Sequence, residues 1–437
     1  MTKQPALNEN LMEEILSSEN VRNAWKRVKS NGGAAGVDGR SIDAFLEYSR
    51  SHWEGIREEL RSGNYTPAPV LRVEIPKKSG GKRPLGIPTV QDRLIQQAIL
   101  QKLNPTIDPE FSDSSFGFRP RRSAHDAVKR VCETIESGCT WVVDIDIEKF
   151  FDNVNHDILM RLVAEHVRDK KLLGLIGRYL RAGVEVDGAV QATTVGTPQG
   201  GPLSPLLANI YLDVLDKEVK KRGLKFVRYA DDALIFVKSK RAGVRVMKSI
   251  SSFLENRLKL TINRKKSAVR KYEDTRFLGF IFAKGKKVKI RWTDDALADF
   301  KFNLKRMTGR SWFVSMDYRL NKLKQYIQGW MQYYGKSQYY TPIPLIDEWL
   351  RRRVRMCYLK QRRFKRSRMN WYISLGVAFK TAKRSVFIER GWWYLAKILA
   401  SNNAMTNKWL HEQGLVSIKD VWCKIHYPDN PKLSFVH

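Results

Sequence analysis

Residues 226–237, FVRYADDALIFV, set two adjacent carboxylates, Asp231 and Asp232, between two apolar runs. Phe226-Val227 and Ala233 to Val237 are strand-like, so the stretch reads as a β-hairpin with the acid pair at its turn. Burying unpaired acids is strongly unfavourable, so something positive should sit with them. A divalent metal is the simplest answer, because Mg²⁺ takes one or two carboxylates and completes its shell with water and substrate phosphates. For ADD in isolation, a solvated turn would be the plainer reading.

A second strand changes that. Far upstream, VVDIDIEKFFDNV (142–154) is another apolar run, and it carries Asp144 and Asp146. Side chains alternate along a strand, so these two acids share one face while Val143, Ile145 and Ile147 take the other. Two strands delivering acids from distant parts of a chain make a metal site. Two cations roughly 3.5–4 Å apart would clamp the attacking and leaving oxygens of an in-line phosphoryl displacement.

Charge points the same way. The chain has 79 Lys and Arg against 45 Asp and Glu, a net +34 over 437 residues. Such a balance calls for a polyanion, either nucleic acid or an anionic membrane surface. No apolar run reaches transmembrane length, and MTKQPALNENLMEE lacks the basic-then-apolar order of a signal peptide, which favours nucleic acid in the cytosol. The four cysteines form no C-x-x-C pair, so neither a zinc ribbon nor a disulfide framework is indicated. At 43% hydrophobic residues a large core is possible, in about two to four structural units.

Several other stretches have chemistry of their own. Residues 8–30 read as a helix, and GGAAGVDG (32–39) as a glycine-rich loop before a second helix near Ser41. Residues 70–100 read as strand, basic turn, strand and helix. Lys77, Lys78, Lys82 and Arg83 at that turn suit a triphosphate, or make a solvated basic tip. FSDSSFGFRPRRSAHDAV (111–128) interleaves aromatics with Arg119, Arg121 and Arg122, a mixture suited to single-stranded nucleic acid. Its phenylalanines could equally be core and its arginines surface. Towards the C-terminus, Leu320, Leu323, Ile327, Trp330 and Tyr334 follow helical spacing, as do Ile346, Leu350, Val354 and Cys357. Ten of the eighteen residues 351–368 are basic, including Arg351, Arg352 and Arg353, which reads as an electrostatic track for RNA.

The motif Tyr229-Ala230-Asp231-Asp232, together with DIEKFFD from Asp146 to Asp152, resembles the palm of reverse transcriptases. The order of the further blocks is similar to the group II intron maturase–reverse transcriptase branch, and the resemblance covers nearly the whole chain. It implies an α+β right-hand polymerase, with fingers and palm of antiparallel sheet plus helices and an α-helical thumb or X domain. The implied boundaries are an N-terminal extension with the first block (1–45), fingers (46–140), palm with a fingers-like insertion (141–290), thumb or X domain (291–375) and a basic C-terminal region (376–437).

The resemblance also implies roles. Asp146, Asp231 and Asp232 would be the catalytic metal ligands for two Mg²⁺ ions, with Mn²⁺ as a substitute, and Asp144 a supporting acid. Lys77, Arg83, Gln199 and Lys265 would contact the incoming dNTP, and the Phe151 ring would exclude a ribose 2′-hydroxyl. Leu85 and Ile87 would pack near the templating base, with Arg119 on the template and Arg351 to Arg353 on RNA. VGTPQGGPLSPLLANIYLDVLD (195–216) would line the nucleotide pocket, its two adjacent glycines allowing close approach, and FLGFIF (277–282) would form a hairpin closing the palm.

Implied partners are a group II intron RNA, an RNA template with a DNA or RNA primer, target DNA and dNTPs, with no membrane, in a bacterial cytoplasm. Monomer and dimer stay open. Many such proteins carry a C-terminal HNH endonuclease with paired cysteines, which this sequence lacks, so the compact type without that domain is expected. Three rivals remain: an RNA-binding splicing factor with a dead polymerase, a domesticated relative in DNA repair or phage defence, and an RNA-copying RNA polymerase. Intact acids oppose the first, and Phe151 opposes the last.

Overall fold

The structure, a computed structural model, describes residues 10–429 apart from 77–79, 187, 194, 198 and 199. The chain divides into two compact units, Met1–Tyr272 and Glu273–His437.

The first unit opens with α1 (Leu11–Ile15) and α2 (Ser18–Asn31). The single helix expected over 8–30 is therefore broken at Leu16-Ser17. After the glycine loop, α3 (Ile42–Ser62) starts at Ser41, whose hydroxyl accepts the Ala44 N–H. Then come an antiparallel hairpin, β1 (Val70–Pro76) and β2 (Lys82–Ile87), and α4 (Val90–Ile107). Helix α5 (Ala124–Glu136) begins with a Ser123/Asp126 capping box. It leads into β3 (Trp141–Ile145), α6 (His156–Ala164) and α7 (Lys170–Arg181). Two short strands, β4 (Val184–Val186) and β5 (Ala189–Gln191), extend the first hairpin into a sheet of order β2-β1-β4-β5.

Helix α8 (Ser204–Lys221) precedes the hairpin expected from the acid motif, β6 (Lys225–Tyr229) and β7 (Asp232–Val237). Helix α9 (Lys240–Arg257) and β8 (Ala268–Lys271) complete an antiparallel sheet of order β6-β7-β3-β8. One face of this sheet is apolar. Val143, Ile145, Phe226, Ile235 and Val237 join Leu206, Ile210, Ile250 and Leu254 of α8 and α9 in the main core. Each such side chain contributes about 1.5–3 kcal/mol when fully buried. A one-residue slip would turn Asp144 of β3 and Asp146 just after it into that core, so the alternation fixes the register that sets the acids on the opposite face.

The second unit starts with a small antiparallel sheet of β9 (Arg276–Phe277), β10 (Phe280–Ala283) and β11 (Lys289–Trp292). The FLGFIF stretch is a hairpin here, turning at Leu278-Gly279, both with positive φ. The rest is helical. Helices α10 (Asp294–Met307), α11 (Met316–Tyr334) and α12 (Pro342–Gln361) come first. They are followed by α13 (Lys365–Ser374), α14 (Phe379–Val386), α15 (Trp392–Leu395), α16 (Leu399–Ala404), α17 (Asn407–Glu412) and α18 (Ile418–His426). Leu320, Leu323 and Ile327 of α11 are buried, as are Ile346, Leu350, Val354 and Cys357 of α12, as their spacing predicts.

The basic run of α12 does not behave as a solvated track. Arg351 pairs with Asp347 at 2.8 Å, and that carboxylate also accepts the Ile418 N–H. Arg352 lies 3.8 Å over the Trp393 ring and donates to the Trp393 carbonyl. Arg353 reaches Thr308 Oγ1 at 2.5 Å and the carbonyls of Lys305 and Thr308, at the end of α10. All three guanidiniums are half-buried and make contacts within the fold, which fixes where their charges sit. Arg355 follows the same pattern on the Met405 carbonyl beyond α16, and Arg368 on Val386, the last residue of α14. Helix C-termini leave carbonyls without intrahelical donors, and fixed cations satisfy them while opposing the negative end of the dipole. No helix among the described residues is long and apolar enough to cross a membrane.

Candidate active site

Tyr229 pairs with Asp232 across the hairpin, which leaves Ala230-Asp231 as a two-residue turn. Ala230 sits at φ +56°, a left-handed conformation that costs about 1–2 kcal/mol for a residue with a Cβ. What pays for it lies beneath. Arg228, wholly buried on the core face, donates to the Ala230 carbonyl at 2.9 Å and to Asn209 Oδ1 at 3.0 Å. Its remaining nitrogens fork onto the buried Asp216 carboxylate of α8 at 2.6–3.0 Å. Sequence reasoning missed Arg228, Asp216 and Asn209. The signal was present: the period of two puts Arg228 on the Phe226 side of the strand, where a charge needs a buried partner.

The FSDSSFG loop braces the turn from another side. The Phe116 N–H donates to the Arg228 carbonyl, the Arg228 N–H to the Ser114 carbonyl, and Asn209 Nδ2 to the Gly117 carbonyl. A Cβ on Gly117 would run into the backbone of Tyr229 and Ala230, so only glycine fits there. Arg119 closes this loop on itself. Its side chain is 2% exposed, bound to the Asp108 carboxylate at 2.8 Å and to the carbonyls of Ser112, Ser115 and Asp108. The expected template contact by Arg119 is therefore corrected, since its donors are already engaged.

The acids converge as the strand pattern requires. Ile145 pairs with Ala233, so the next step of the register sets Asp146 opposite Asp232. The Asp146 backbone is gripped by the segment after Ile262: its N–H donates to Ser267 Oγ at 3.0 Å, and its carbonyl accepts the Asn263 N–H at 2.9 Å. Asp146 Oδ2 is buried and has no hydrogen-bond donor among the described residues; Lys266 Nζ lies 3.4 Å from it. Arg270 lies 3.4 Å from Asp144. Desolvation, then the charges of Asp231, Asp144 and Asp146, push the Asp232 carboxyl up to about 6, with Lys266 opposing. Desolvation likewise raises Asp144, which Arg270 lowers and Asp146 raises.

Four carboxylates thus meet two cations, with one buried oxygen that receives no hydrogen bond among the described residues. An oxygen-rich, under-neutralised set of this kind fits Mg²⁺. Among the described residues no group of three or more His, Cys, Asp or Glu that could hold a metal ion is found, so the fit of Mg²⁺ rests on the carboxylate chemistry and not on a preformed cluster.

Asp232 gives a pH signature. A carboxyl raised from the usual range to about 6 makes the folded state bind the extra proton, so stability falls as pH rises from about 4 to about 6. Asp232→Asn should therefore raise the melting temperature of the metal-free protein at pH 8 and leave it unchanged at pH 4, with Mg²⁺ narrowing the gap. Thermal melts at both pH values check this.

The remaining predicted residues fall as follows. Lys77 and Gln199 lie outside the described residues. Arg83 is exposed on β2, beside Lys82, which pairs with Glu74 at 2.6 Å. Leu85 and Ile87 are half-buried on one face of the same strand. A Cβ on Gly200, at φ +127°, would strike the Gly86 carbonyl, so the close approach this glycine allows is to β2. Phe151 packs edge-on against Phe150, 5.2 Å between centroids, and is 8% exposed. Its carbonyl accepts the Thr197 N–H at 2.7 Å, tying the 195–197 loop to the acid-bearing segment. The lysine that reaches the acids is Lys266 and not Lys265. The turn at Asn263 accepts both the Lys266 and Ser267 N–H groups, and Lys265 points to solvent.

Comparison with known proteins bears directly on this geometry. Residues 75–282 match the family model described as reverse transcriptase (RNA-dependent DNA polymerase). Residues 297–373 match the group II intron, maturase-specific domain. Protein YkfC of Escherichia coli (strain K12) is 33% identical over 312 residues, covering 62% of this chain and 81% of YkfC. The group II intron-encoded protein LtrA of Lactococcus lactis subsp. cremoris is 33% identical over 323 residues, covering 59% of this chain and 54% of LtrA. A putative COX1/OXI3 intron 2 protein of Saccharomyces cerevisiae is 29% identical, over 59% of this chain and 37% of its own length. The chain thus spans most of YkfC but about half of LtrA. With acids on two paired strands in the first unit and the maturase-specific match wholly within the second, the chain belongs to the group II intron-encoded reverse transcriptase and maturase family.

Proposed function

We propose that the protein adds deoxynucleotides to a primer 3′-hydroxyl on an RNA template, and that it binds a group II intron RNA to assist splicing and retrohoming into target DNA. The observation that carries the polymerase reading is the set of Asp144, Asp146 and Asp232 on one sheet face beside Asp231 of the turn, with a buried Asp146 Oδ2 that receives no hydrogen bond among the described residues. Two magnesium ions held by Asp146 and Asp231, with Asp232 assisting, would activate the attacking hydroxyl and neutralise the departing pyrophosphate. The chain's own share is positioning. The Arg228–Asp216 pair sets the turn, and the Ser267 and Asn263 contacts set Asp146. Lys77, Arg83 and Gln199 are assigned to the triphosphate, with Leu85 and Ile87 beside the templating base. Lys266 supplies positive charge at the acids.

Phe151 is assigned to sugar discrimination by bulk. Phe151→Ala should admit ribonucleotides, read as the ratio of NTP to dNTP incorporation in single-nucleotide extension. A folded variant with unchanged discrimination would remove that role.

The test of the activity is primer extension on an RNA template with Mg²⁺, comparing dNTPs with NTPs. DNA synthesis supports the reading. Tight RNA binding without synthesis by the wild type would transfer the weight to a splicing factor.

A further inference from the structure

The second unit holds an open cavity of about 620 Å³ between the end of α10, the middle of α12 and α15. Its wall combines Phe302 and Trp393 with Arg306, Arg310 and Arg353, and no acid lines it among the described residues. Phe302 is 64% exposed, so one face of its ring is open to the cavity and free to stack. Trp393 already carries the Arg352 guanidinium on its ring at 3.8 Å, which holds the indole in place. Arg353 is pinned by Thr308 and Lys305, so its charge is fixed at the cavity floor. Burial, together with the neighbouring Arg310 and Arg319 charges, lowers the affinity of that guanidinium for its proton. Arg306 and Arg310 are exposed and have no carboxylate partner among the described residues. Beside two aromatic rings, Arg306 and Arg310 thus bring positive charge without carboxylate partners among the described residues.

We propose that this cavity captures one unstacked nucleotide of a single-stranded nucleic acid. The base would stack on Phe302 and lie against Trp393, with its flanking phosphates on Arg306 and Arg310. Aromatic faces accept any base, and arginines bind phosphate oxygens through paired N–H groups, so the chemistry selects an accessible base on a charged backbone. A duplex keeps its bases stacked inward and cannot fill the cavity. The site lies apart in sequence from the acids and adds a strand-holding function to the proposed polymerase, on whose reading as a nucleic-acid enzyme it rests.

The test uses the full chain and fluorescence anisotropy with three labelled probes of one sequence: a twelve-nucleotide RNA, the corresponding DNA, and the RNA annealed to its complement. Phe302→Ala should weaken single-stranded RNA binding roughly 5- to 150-fold, the range of one lost base stack, and Phe302→Trp should retain it. Arg306→Ala/Arg310→Ala should reduce the slope of log affinity against log salt by about 1.4 for the single strand. Duplex affinity should stay within about twofold for Phe302→Ala, because no base stack is lost there. Loss on both single strands identifies a base–phosphate unit common to RNA and DNA, and loss on RNA alone adds the 2′-hydroxyl to what is read; both support the site. Unchanged single-strand binding by Phe302→Ala, or equal loss on the duplex, overturns it. Wild-type primer extension on the same preparation separates the two readings. Synthesis together with unaltered Phe302→Ala binding removes only the cavity, and absent synthesis with the predicted binding losses removes only the polymerase.

Discussion

Asp216→Ala should destabilise the first unit by about 3–5 kcal/mol, because it leaves the Arg228 guanidinium buried without its counter-charge. Arg228 is wholly buried, and its fork on Asp216 spans 2.6–3.0 Å. At about 2–4 °C per kcal/mol for a unit of this size, the transition should fall by roughly 6–20 °C. Replacing both partners by apolar residues, Arg228→Met with Asp216→Leu, should recover more than half of that loss, since no charge is then stranded. Recovered stability should not bring recovered function. The double variant still lacks the donor to the Ala230 carbonyl, so the strained turn carrying Asp231 loses its anchor. Thermal melts beside primer extension separate these effects. Equal stability of Asp216→Ala and the wild type would mean the pair does not hold the turn.

Asp146→Asn should reduce nucleotide addition by about a thousandfold or more, the scale of several kcal/mol of transition-state charge stabilisation. The variant keeps its backbone contacts to Ser267 and Asn263, which do not involve the carboxylate. Primer–template binding should therefore stay within a few-fold of the wild type. Loss of the chemical step without loss of binding, in single-turnover kinetics and anisotropy, is the expected signature. Parallel loss of both would place Asp146 in the architecture of the unit and not in the reaction.

The acid strands were legible because alternation is a local property: Asp144 and Asp146 had to share a face, and Val143 and Ile145 had to oppose it. Helices α11 and α12 were legible for the same reason at a period of 3.6. Arg119 was misplaced, and the contacts of Arg351 to Arg353 within the fold were unforeseen, because composition counts charges without seeing their acceptors. The carbonyls at the ends of α10 and beyond α16, and the Asp108 carboxylate, come near only when the chain has folded. Lys265 and Lys266 differ only in which way a short turn points them, and that turn is set by Asn263. The Arg228–Asp216 pair lies between these cases. Its burial could be read from the strand period, but the helix that supplies its partner could not.

The most direct test of the account is primer extension on an RNA template with Mg²⁺ and dNTPs, wild type beside Asp231→Ala. The account predicts DNA synthesis by the wild type and none by a folded, RNA-binding variant. Synthesis that survives the loss of Asp231 would contradict it, because the chemistry would then lie away from the carboxylates of β3 and the β6–β7 turn.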